Sequence, residues 1–266
     1  MTRTALAAFL AICLAAPAVA EPVVHRTEFE VSFGLLPVGR ATFDIRLDGD
    51  GYLLDGKGRT AGIAELFASG RGAFESEGRF DGARVVAVRH AVEFVEKKKK
   101  STLEMQFEEG RLASMTVVPD KRRKKTGSKW VPITEEQLAS VIDPASGIVL
   151  PVAPADARNP RAVCDRVLPI YDGDTRYDIA LSWKETQPVE TRGYKGQAFV
   201  CKLRYVPVAG HRRGQKNIEY MRKNDGMEIW LAPIAGTSTF TPIRIEVPTW
   251  VGRVSAVARY FGPRAD

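Results

Sequence analysis

Two runs of basic residues are the features of this 266-residue chain whose type and spacing best suit the binding of a charged ligand. The first spans Lys97 to Lys100, and the second, Lys-Arg-Arg-Lys-Lys, spans Lys121 to Lys125. Clustered cations attract anionic groups such as the phosphates of lipid or lipopolysaccharide. The candidate contacts for an anionic ligand are therefore Lys97, Lys98, Lys99, Lys100, Lys121, Arg122, Arg123, Lys124 and Lys125.

Each basic run also has an explanation that needs no ligand. Lysines at the end of a strand protect an exposed sheet edge from pairing with another chain. On such a strand, Lys97 and Lys99 would point away from Lys98 and Lys100, so one ligand would not meet all four. The second run fits a solvated loop, although Trp130, which follows it, is typical of membrane interfaces. Both interpretations of each run stay open.

The titratable residues do not form a recognisable catalytic set. His25, His90 and His211 lie far apart in the sequence, and His90 falls on an apolar strand face. That position favours a hydrogen-bonded core histidine. The chain has no Gly-x-Ser-x-Gly, His-Glu-x-x-His or Cys-x-x-Cys motif. We therefore expect no enzymatic activity; an active site would require His90 or His211 to meet Asp172 or Asp174 in space.

The densest acidic cluster lies at residues 171–178 and reads Tyr-Asp-Gly-Asp-Thr-Arg-Tyr-Asp. Carboxylates at this spacing can ligate calcium, but the glutamate that would complete an EF-hand loop is missing. Strand patterns on both sides of the cluster favour a hairpin turn instead. The sequence predicts neither a metal nor a cofactor.

The first 20 residues have the composition of a secretory signal peptide. Arg3 precedes a short apolar run, and Ala18-Val19-Ala20 forms a small-residue cleavage site before Glu21. We therefore expect export to the periplasm. The predicted mature chain, residues 21–266, contains no apolar stretch of the length that spans a bilayer. We treat it as a single domain.

Export changes the interpretation of the cysteines and of the charge. Only Cys164 and Cys201 follow the leader, and an even pair in an oxidising compartment predicts a disulfide rather than two buried thiols. The net charge of +7 suits an anionic neighbour, such as lipid, lipopolysaccharide or a cell-wall polymer. It suits simple solubility equally well. The compartment disfavours nucleic acid as a partner.

Alternation of apolar and polar residues recurs along the whole chain and predicts strands. Examples are residues 27–33, 41–47 and 84–95, whereas 253–261 is apolar on both sides and is expected to be central. The segment from Gly34 to Gly39 is expected to be a hairpin turn with an apolar tip. These patterns predict an all-β fold, with a large curved antiparallel sheet that forms a β-spiral or open barrel.

One or two short helices complete this prediction. Residues 62–67 fit one or two helical turns, and residues 134–142 fit a helix with Thr134 as N-cap and Glu135 in the first turn. The tryptophans of the C-terminal half are interpreted as core aromatics; they are Trp183, Trp230 and Trp250.

The chain resembles a family of exported proteins from Gram-negative proteobacteria that is known only as a domain of unknown function. The likeness extends over nearly all of residues 25–262. It is carried by Gly34-Leu35-Leu36-Pro37-Val38-Gly39-Arg40-Ala41, Arg59-Thr60-Ala61-Gly62, Arg71-Gly72, Asp143-Pro144, Cys164-Asp165, Tyr171-Asp172-Gly173 and Tyr205-Val206-Pro207-Val208-Ala209-Gly210. This family brings no catalytic motif with it.

More distantly, the organisation is similar to the periplasmic envelope-integrity protein B family. That resemblance implies a long β-spiral closed by a disulfide and a role in maintaining the cell envelope. We therefore expect a non-enzymatic periplasmic protein that supports envelope integrity and binds a cell-wall polymer or a protein partner. The alternative is a carrier of lipid or lipoprotein acyl chains with an apolar half-barrel interior. A continuous internal cavity would favour the carrier, whereas a filled core with an external basic groove would favour the binding protein.

Overall fold

Fourteen strands pair antiparallel in one large curved sheet whose two edges do not pair with each other. The computed structural model describes residues 21–62, 70–97, 99–120 and 127–264. The strands are β1 (Val23–Phe33), β2 (Leu36–Asp48), β3 (Gly51–Thr60), β4 (Gly70–Asp81), β5 (Arg84–Glu96), β6 (Lys99–Glu108), β7 (Arg111–Val118), β8 (Leu150–Pro151), β9 (Arg166–Tyr171), β10 (Arg176–Thr191), β11 (Tyr194–Ala209), β12 (Glu228–Pro233), β13 (Thr239–Thr249) and β14 (Gly252–Pro263).

The described residues form few helices. The α-helices are α1 (Pro160–Cys164) and α2 (Lys216–Lys223), and short 3-10 turns occupy Glu136–Leu138, Ser146–Ile148 and Pro154–Asp156. The predicted all-β class with one or two short helices is therefore confirmed. The predicted leader at 1–20 lies outside the described residues, as does nearly all of the helical segment predicted at 62–67.

The strand order joins the two halves of the chain through its terminal strands. From one edge to the other it runs β7-β6-β5-β4-β3-β2-β1-β14-β13-β12-β11-β10-β9, and β8 pairs with β13 beside this path. β14 therefore lies between β1 and β13, which confirms the prediction that residues 253–261 form a central strand.

The alternating pattern places apolar side chains on the concave face of the sheet. Ile45 and Leu47 of β2 are buried there, as predicted. The alternation fails once in β5, where the register with β4 shifts and Val88 is the additional residue. A β-bulge of this kind turns a side chain to the other face. Val88 is consequently 40% exposed, whereas Ala87 and His90 are buried.

The segment that follows β7 crosses the interior of the sheet and is not the helix predicted at 134–142. Only Glu136–Leu138 form a 3-10 turn, although Thr134 and Gln137 cap each other's backbone N–H groups as a capping box does. The helix stops because later backbone groups bond elsewhere. Val141 donates its N–H to Gly110 in the β6–β7 turn, and Ile142 donates to Pro169 in β9. The segment thus connects the regions of the two free sheet edges.

The β10–β11 hairpin encloses a second, smaller core. Its turn reaches β14, where Arg192 forms a parallel bridge with Tyr260. Phe29, Ala198 and Phe261 are buried beneath it, apart from the main core.

The predicted disulfide between Cys164 and Cys201 is confirmed. It joins the end of α1 to β11, with a Cα–Cα distance of 5.5 Å and a sequence separation of 37 residues. Both cysteines are fully buried.

Removal of this disulfide should destabilise the fold. The bridge closes a loop of 37 residues, which corresponds to about 4 kcal/mol in the chain-entropy model. The variant Cys164→Ser/Cys201→Ser is therefore expected to melt well below the oxidised wild type in calorimetry. Reductant should lower the melting temperature of the wild type and leave that of the variant unchanged. Equal melting temperatures for the two oxidised proteins would contradict the stabilising role.

Acidification should weaken the fold through His25. This side chain is 2% exposed, lies 3.1 Å from the Thr27 hydroxyl and packs edge-on against Phe261. Burial lowers the pKa of His25 from 6.5 to about 4, despite the opposing charge of Asp44. The unfolded chain binds a proton below pH 6.5 that the folded chain does not bind, so stability falls as the pH drops toward 4, by up to about 3 kcal/mol.

The measurement is the free energy of unfolding in urea across this pH range. The His25→Gln variant should show a flatter pH dependence than the wild type. The exposed Ser101→Ala variant, which removes no titratable group, serves as the control and should retain the wild-type slope. Parallel curves for wild type and His25→Gln would contradict the assignment.

Candidate functional site

A network of polar side chains lies in the interior, where the crossing segment meets the sheet. Asp143 Oδ1 lies 3.0 Å from both the Ser76 hydroxyl and His90 Nδ1, and the last two atoms are 2.7 Å apart. Asp143 Oδ2 accepts from the Ser146 hydroxyl, which in turn accepts from Tyr52 at 2.7 Å. The prediction that His90 is a hydrogen-bonded core histidine is confirmed.

The surroundings of Asp143 favour its ionised form. Burial alone would raise the pKa of this carboxyl group. The hydrogen bond and charge of His90, together with hydrogen bonds from Ser146, outweigh burial and lower the pKa below its usual range.

The network combines a serine, a histidine and an aspartate but has no access to a substrate. Ser76, Asp143 and Ser146 are fully buried, and His90 is 4% exposed. The Asp143 carboxylate also accepts the backbone N–H groups of Ala145 and Ser146, both at 2.9 Å. Its hydrogen bonds therefore attach the crossing segment to β4 and β5. The arrangement is a structural anchor in the filled core.

A row of arginines on the convex face of the sheet is the strongest candidate for a binding site. Arg40 of β2 lies directly opposite Arg59 of β3, which lies directly opposite Arg71 of β4. All three side chains are exposed. Directly opposite residues on antiparallel strands have Cβ atoms about 5 Å apart, and like charges at that spacing destabilise the sheet. An anion bound across the row would relieve this repulsion.

The arginine row lines an open groove of about 730 Å³, called the outer groove below. Its remaining charged residues are Lys57, Arg192, Arg259, Glu28, Glu30 and Glu93. Each of the three carboxylates forms an ion pair. The nitrogen–oxygen distances are 3.2 Å for Arg192–Glu28, 2.5 Å for Arg259–Glu30 and 2.7 Å for Lys100–Glu93.

Two arginines of the row lack such compensation. No carboxylate of the described residues forms an ion pair with Arg40 or Arg71. These two arginines therefore contribute positive charge that the ion pairs of the groove do not neutralise.

An apolar trough of about 450 Å³ lies on the concave face of the same strands. Glycines form its floor because an aromatic ring rests on the backbone there. A Cβ atom at Gly70 or at Gly72 would lie 3.3 Å from the Phe94 ring. The Phe94 ring therefore occupies part of this surface, and the trough stays open to solvent as a shallow feature beside the filled core.

The structure places the predicted lysine contacts at the end of the β5–β6 hairpin. Lys97 has a φ of 45° in the turn, and Lys97, Lys99 and Lys100 are exposed. Lys100 reaches the outer groove through its ion pair with Glu93. Lys98 lies outside the described residues, as do Lys121, Arg122, Arg123, Lys124 and Lys125. The strand β7 and Trp130 flank the second run on either side.

The acidic cluster at 171–178 forms the hairpin turn that the sequence predicted between β9 and β10. Asp172 Oδ1 accepts the backbone N–H groups of Asp174 and Thr175, and Asp172 Oδ2 accepts the Thr175 hydroxyl. Within residues that the structure describes, no group of three or more His, Cys, Asp or Glu side chains is placed to hold a metal ion.

The sequence did not single out the arginine row, because the row exists only through strand register. Arg40, Arg59 and Arg71 are separated by 19 and 12 positions in the chain, so no local run reveals them. One signal was present: each arginine belongs to a motif that carries the family resemblance. Trp250 was also misjudged as a core aromatic, since it is 79% exposed in the β13–β14 turn.

An open, β-barrel-like sheet with a filled interior and a cationic convex groove defines the class of this protein. A similar fold occurs in the crystal structure of a β-barrel-like protein of the domain of unknown function DUF1849 from Brucella abortus. That structure matches with a TM-score of 0.55 at 10% sequence identity and covers 91% of this chain and 98% of its own. The likeness concerns the fold alone.

The chain belongs to the DUF3108 family of proteins of unknown function, whose model matches residues 28–259. This finding agrees with the resemblance noted in the sequence. The match includes the arginine row and the buried network. No curated protein matches the chain. No helix in the described ranges is long and apolar enough to cross a membrane.

Replacement of Asp143 should destabilise the protein because it breaks the buried anchor. We expect Asp143→Asn to lose about 3 kcal/mol of unfolding free energy at neutral pH, since a buried histidine and two serines lose their charged partner. The exposed Asp156→Asn variant is the control and should remain within about 0.5 kcal/mol of the wild type in urea denaturation.

The pH dependence gives a second measurement of the same group. Because the folded pKa of Asp143 is depressed, its stabilisation is complete above the ordinary value of 3.8 and is lost as the pH falls through the folded pKa. Asp143→Asn should lack this acid-dependent loss. An equal loss in both proteins would place the acid sensitivity elsewhere.

Proposed function

We propose that this protein is a non-enzymatic periplasmic component of the cell envelope that binds an anionic cell-wall polymer in the outer groove. The observation that carries the proposal is the row of Arg40, Arg59 and Arg71 on three adjacent strands. The predicted leader and the resemblance to the envelope-integrity protein B family support the compartment and the envelope role. The +7 net charge of the chain is in keeping with an anionic ligand.

The chemistry of the groove suits a glycan that carries acidic groups. Guanidinium groups bind carboxylates and phosphates through paired, charge-assisted hydrogen bonds. Glu28 and Glu30 line the same groove and can accept hydrogen bonds from sugar hydroxyls. Peptidoglycan offers both kinds of group, because its sugars carry hydroxyls and its peptide stems carry carboxylates.

The packing of the interior favours a surface-binding role over internal transport. Leu54, Met105 and Leu150 are fully buried in one continuous core, and the crossing segment occupies the concave side of the sheet. Among the described residues, these side chains occupy the centre of the space enclosed by the sheet. The outer groove, in contrast, is open and long enough to follow a polymer across three strands.

A second function, the carriage of acyl chains, is favoured by one specific feature. The glycine-floored trough is apolar and exposes Phe94, which is 44% accessible. A lipid or lipoprotein chain could lie along this floor. Native mass spectrometry of protein purified from the periplasm distinguishes the two functions, since a carrier would retain a phospholipid or acylated species.

Binding to peptidoglycan should depend on the arginine row. We expect the variant Arg40→Ala/Arg71→Ala to bind purified sacculi about tenfold more weakly or worse than the wild type, because two charged hydrogen-bonding groups are lost. Wild-type binding should also weaken with added salt. The measurement is co-sedimentation over a range of sacculus concentrations.

The control variant is Arg84→Ala, which removes an exposed arginine outside the groove in the β4–β5 turn. It should bind sacculi like the wild type. Equal binding by the groove variant and the wild type would refute a role for the row. Melting curves of both variants would show whether any loss of binding reflects unfolding.

A further inference from the structure

The antiparallel order of the sheet gathers alternate turns at the same end. The turns that follow β1, β5, β9 and β13 therefore lie at one end, which we call the Trp250 end. The turns that follow β2, β4 and β6 lie at the opposite end. These two sets of turns differ in composition.

Two neighbouring hairpin tips at the Trp250 end are strongly exposed and apolar. Leu35 and Leu36 form the β1–β2 tip and are 99% and 53% exposed. Trp250 and Val251 form the β13–β14 tip and are 79% and 59% exposed. Contiguous exposed apolar side chains mark interaction surfaces in soluble proteins. Folding alone does not explain four such residues in two turns, where polar residues and glycine are preferred.

Contacts between the two tips hold them side by side. Gly34 donates its backbone N–H to the carbonyl of Arg253 at 2.8 Å. The Phe33 ring lies over Gly252, where an added Cβ would come within 2.7 Å of it. β1 and β14 are paired along their length, so the tips extend from adjacent strands of one rigid sheet. The apolar side chains are thus presented together.

The charges of the hairpin turns distinguish the two ends of the β1–β7 half. At the Trp250 end the β5–β6 hairpin carries the exposed Lys97, Lys99 and Lys100 against one exposed carboxylate, Glu96. The three turns at the opposite end carry five acidic residues, Asp48, Asp50, Asp81, Glu108 and Glu109, against two basic ones, Arg84 and Arg111, so their formal charge is negative. A negatively charged surface would therefore attract the Trp250 end and repel the other.

Basic residues from two further connections also meet at the Trp250 end. Trp130 forms an antiparallel bridge with Arg212, whose guanidinium lies 5.9 Å from the centre of the indole ring. The backbone of Arg213 donates to the Lys129 carbonyl at 2.8 Å. The cations Lys129, Arg212 and Arg213 are exposed. Carboxylates occur here too, but Asp172 is engaged within its own turn.

We propose that the two apolar tips insert into the surface of a lipid bilayer that contains anionic headgroups. Trp250 would lie at the level of the headgroups, where tryptophan is enriched. Leu35, Leu36 and Val251 would reach the upper part of the acyl chains, while lysine and arginine side chains meet the phosphates. The two apolar tips do not line the outer groove, and the inference does not depend on polymer binding there.

The shape of the tips favours a bilayer over a protein partner. A stable protein interface buries about 800 Å² on each partner around a packed centre. Two convex hairpin tips with four apolar side chains do not provide such a surface. A bilayer accepts protruding apolar groups without a complementary pocket, and it supplies the negative charge that the surrounding cations require.

Vesicle binding tests the proposal directly. The wild type should bind mixed phosphatidylcholine–phosphatidylglycerol vesicles, and the emission of Trp250 should shift to shorter wavelength. Subtraction of the Trp250→Phe spectrum isolates that signal from the other tryptophans. The variant Leu35→Ser/Trp250→Ser should bind at least about tenfold more weakly, because two inserted side chains are removed. Vesicles of pure phosphatidylcholine should bind the wild type less tightly.

Val167→Ser is the matched control, since Val167 is 58% exposed but lies on β9, away from the tips. It should bind vesicles like the wild type. The tip variant should keep its melting temperature and its binding to sacculi, so failure of this inference leaves the proposed function intact. Unchanged Trp250 emission with vesicles would overturn the inference. A concentration-dependent emission shift without vesicles would overturn it as well and indicate a protein partner.

Discussion

The hydrogen bonds of one buried carboxylate hold together the parts of this fold that the sheet itself does not join. Asp143 accepts from Ser76 and His90 on β4 and β5 and from two backbone groups of its own segment. A buried charge is tolerated only where such partners surround it. The crossing segment that carries it fills the concave side and bonds to Gly110 and Pro169 near the two sheet edges. An open sheet can therefore enclose a dry core without closing as a barrel.

That internal anchor has a consequence for the outside of the molecule. The crossing segment occupies the concave side, and the arginines of β2, β3 and β4 lie on the convex face. Strand register then decides which of them become neighbours. Arg40, Arg59 and Arg71 meet although each is separated from the next by a turn or a longer connection. Like charges on adjacent strands weaken a sheet unless other groups compensate them, and such local compromises are common at functional sites.

Local patterns in the sequence predicted much of the fold. Alternation of apolar residues identified strands such as 41–47, and the doubly apolar 253–261 indicated a central position. The pair Cys164 and Cys201 predicted the disulfide from compartment and number alone. The predicted helix at 134–142 failed because a helical pattern cannot reveal tertiary partners, and the groups at Val141 and Ile142 bond to distant strands. The bulge at Val88 escaped detection for the same reason. The candidate site required register, which no local window of sequence contains.

The central position of β14 also bears on how the chain acquires its structure during synthesis. Ribosomes release the N-terminus first, so β1 and β13 are both complete before their shared neighbour exists. Until residues 252–263 emerge, each presents an unpaired strand edge of the kind that recruits other chains into aggregates. The nascent protein thus carries two temporarily unpaired strand edges that only β14 can cover. Truncation near the C-terminus would make that exposure permanent and would leave two half-sheets in place of one.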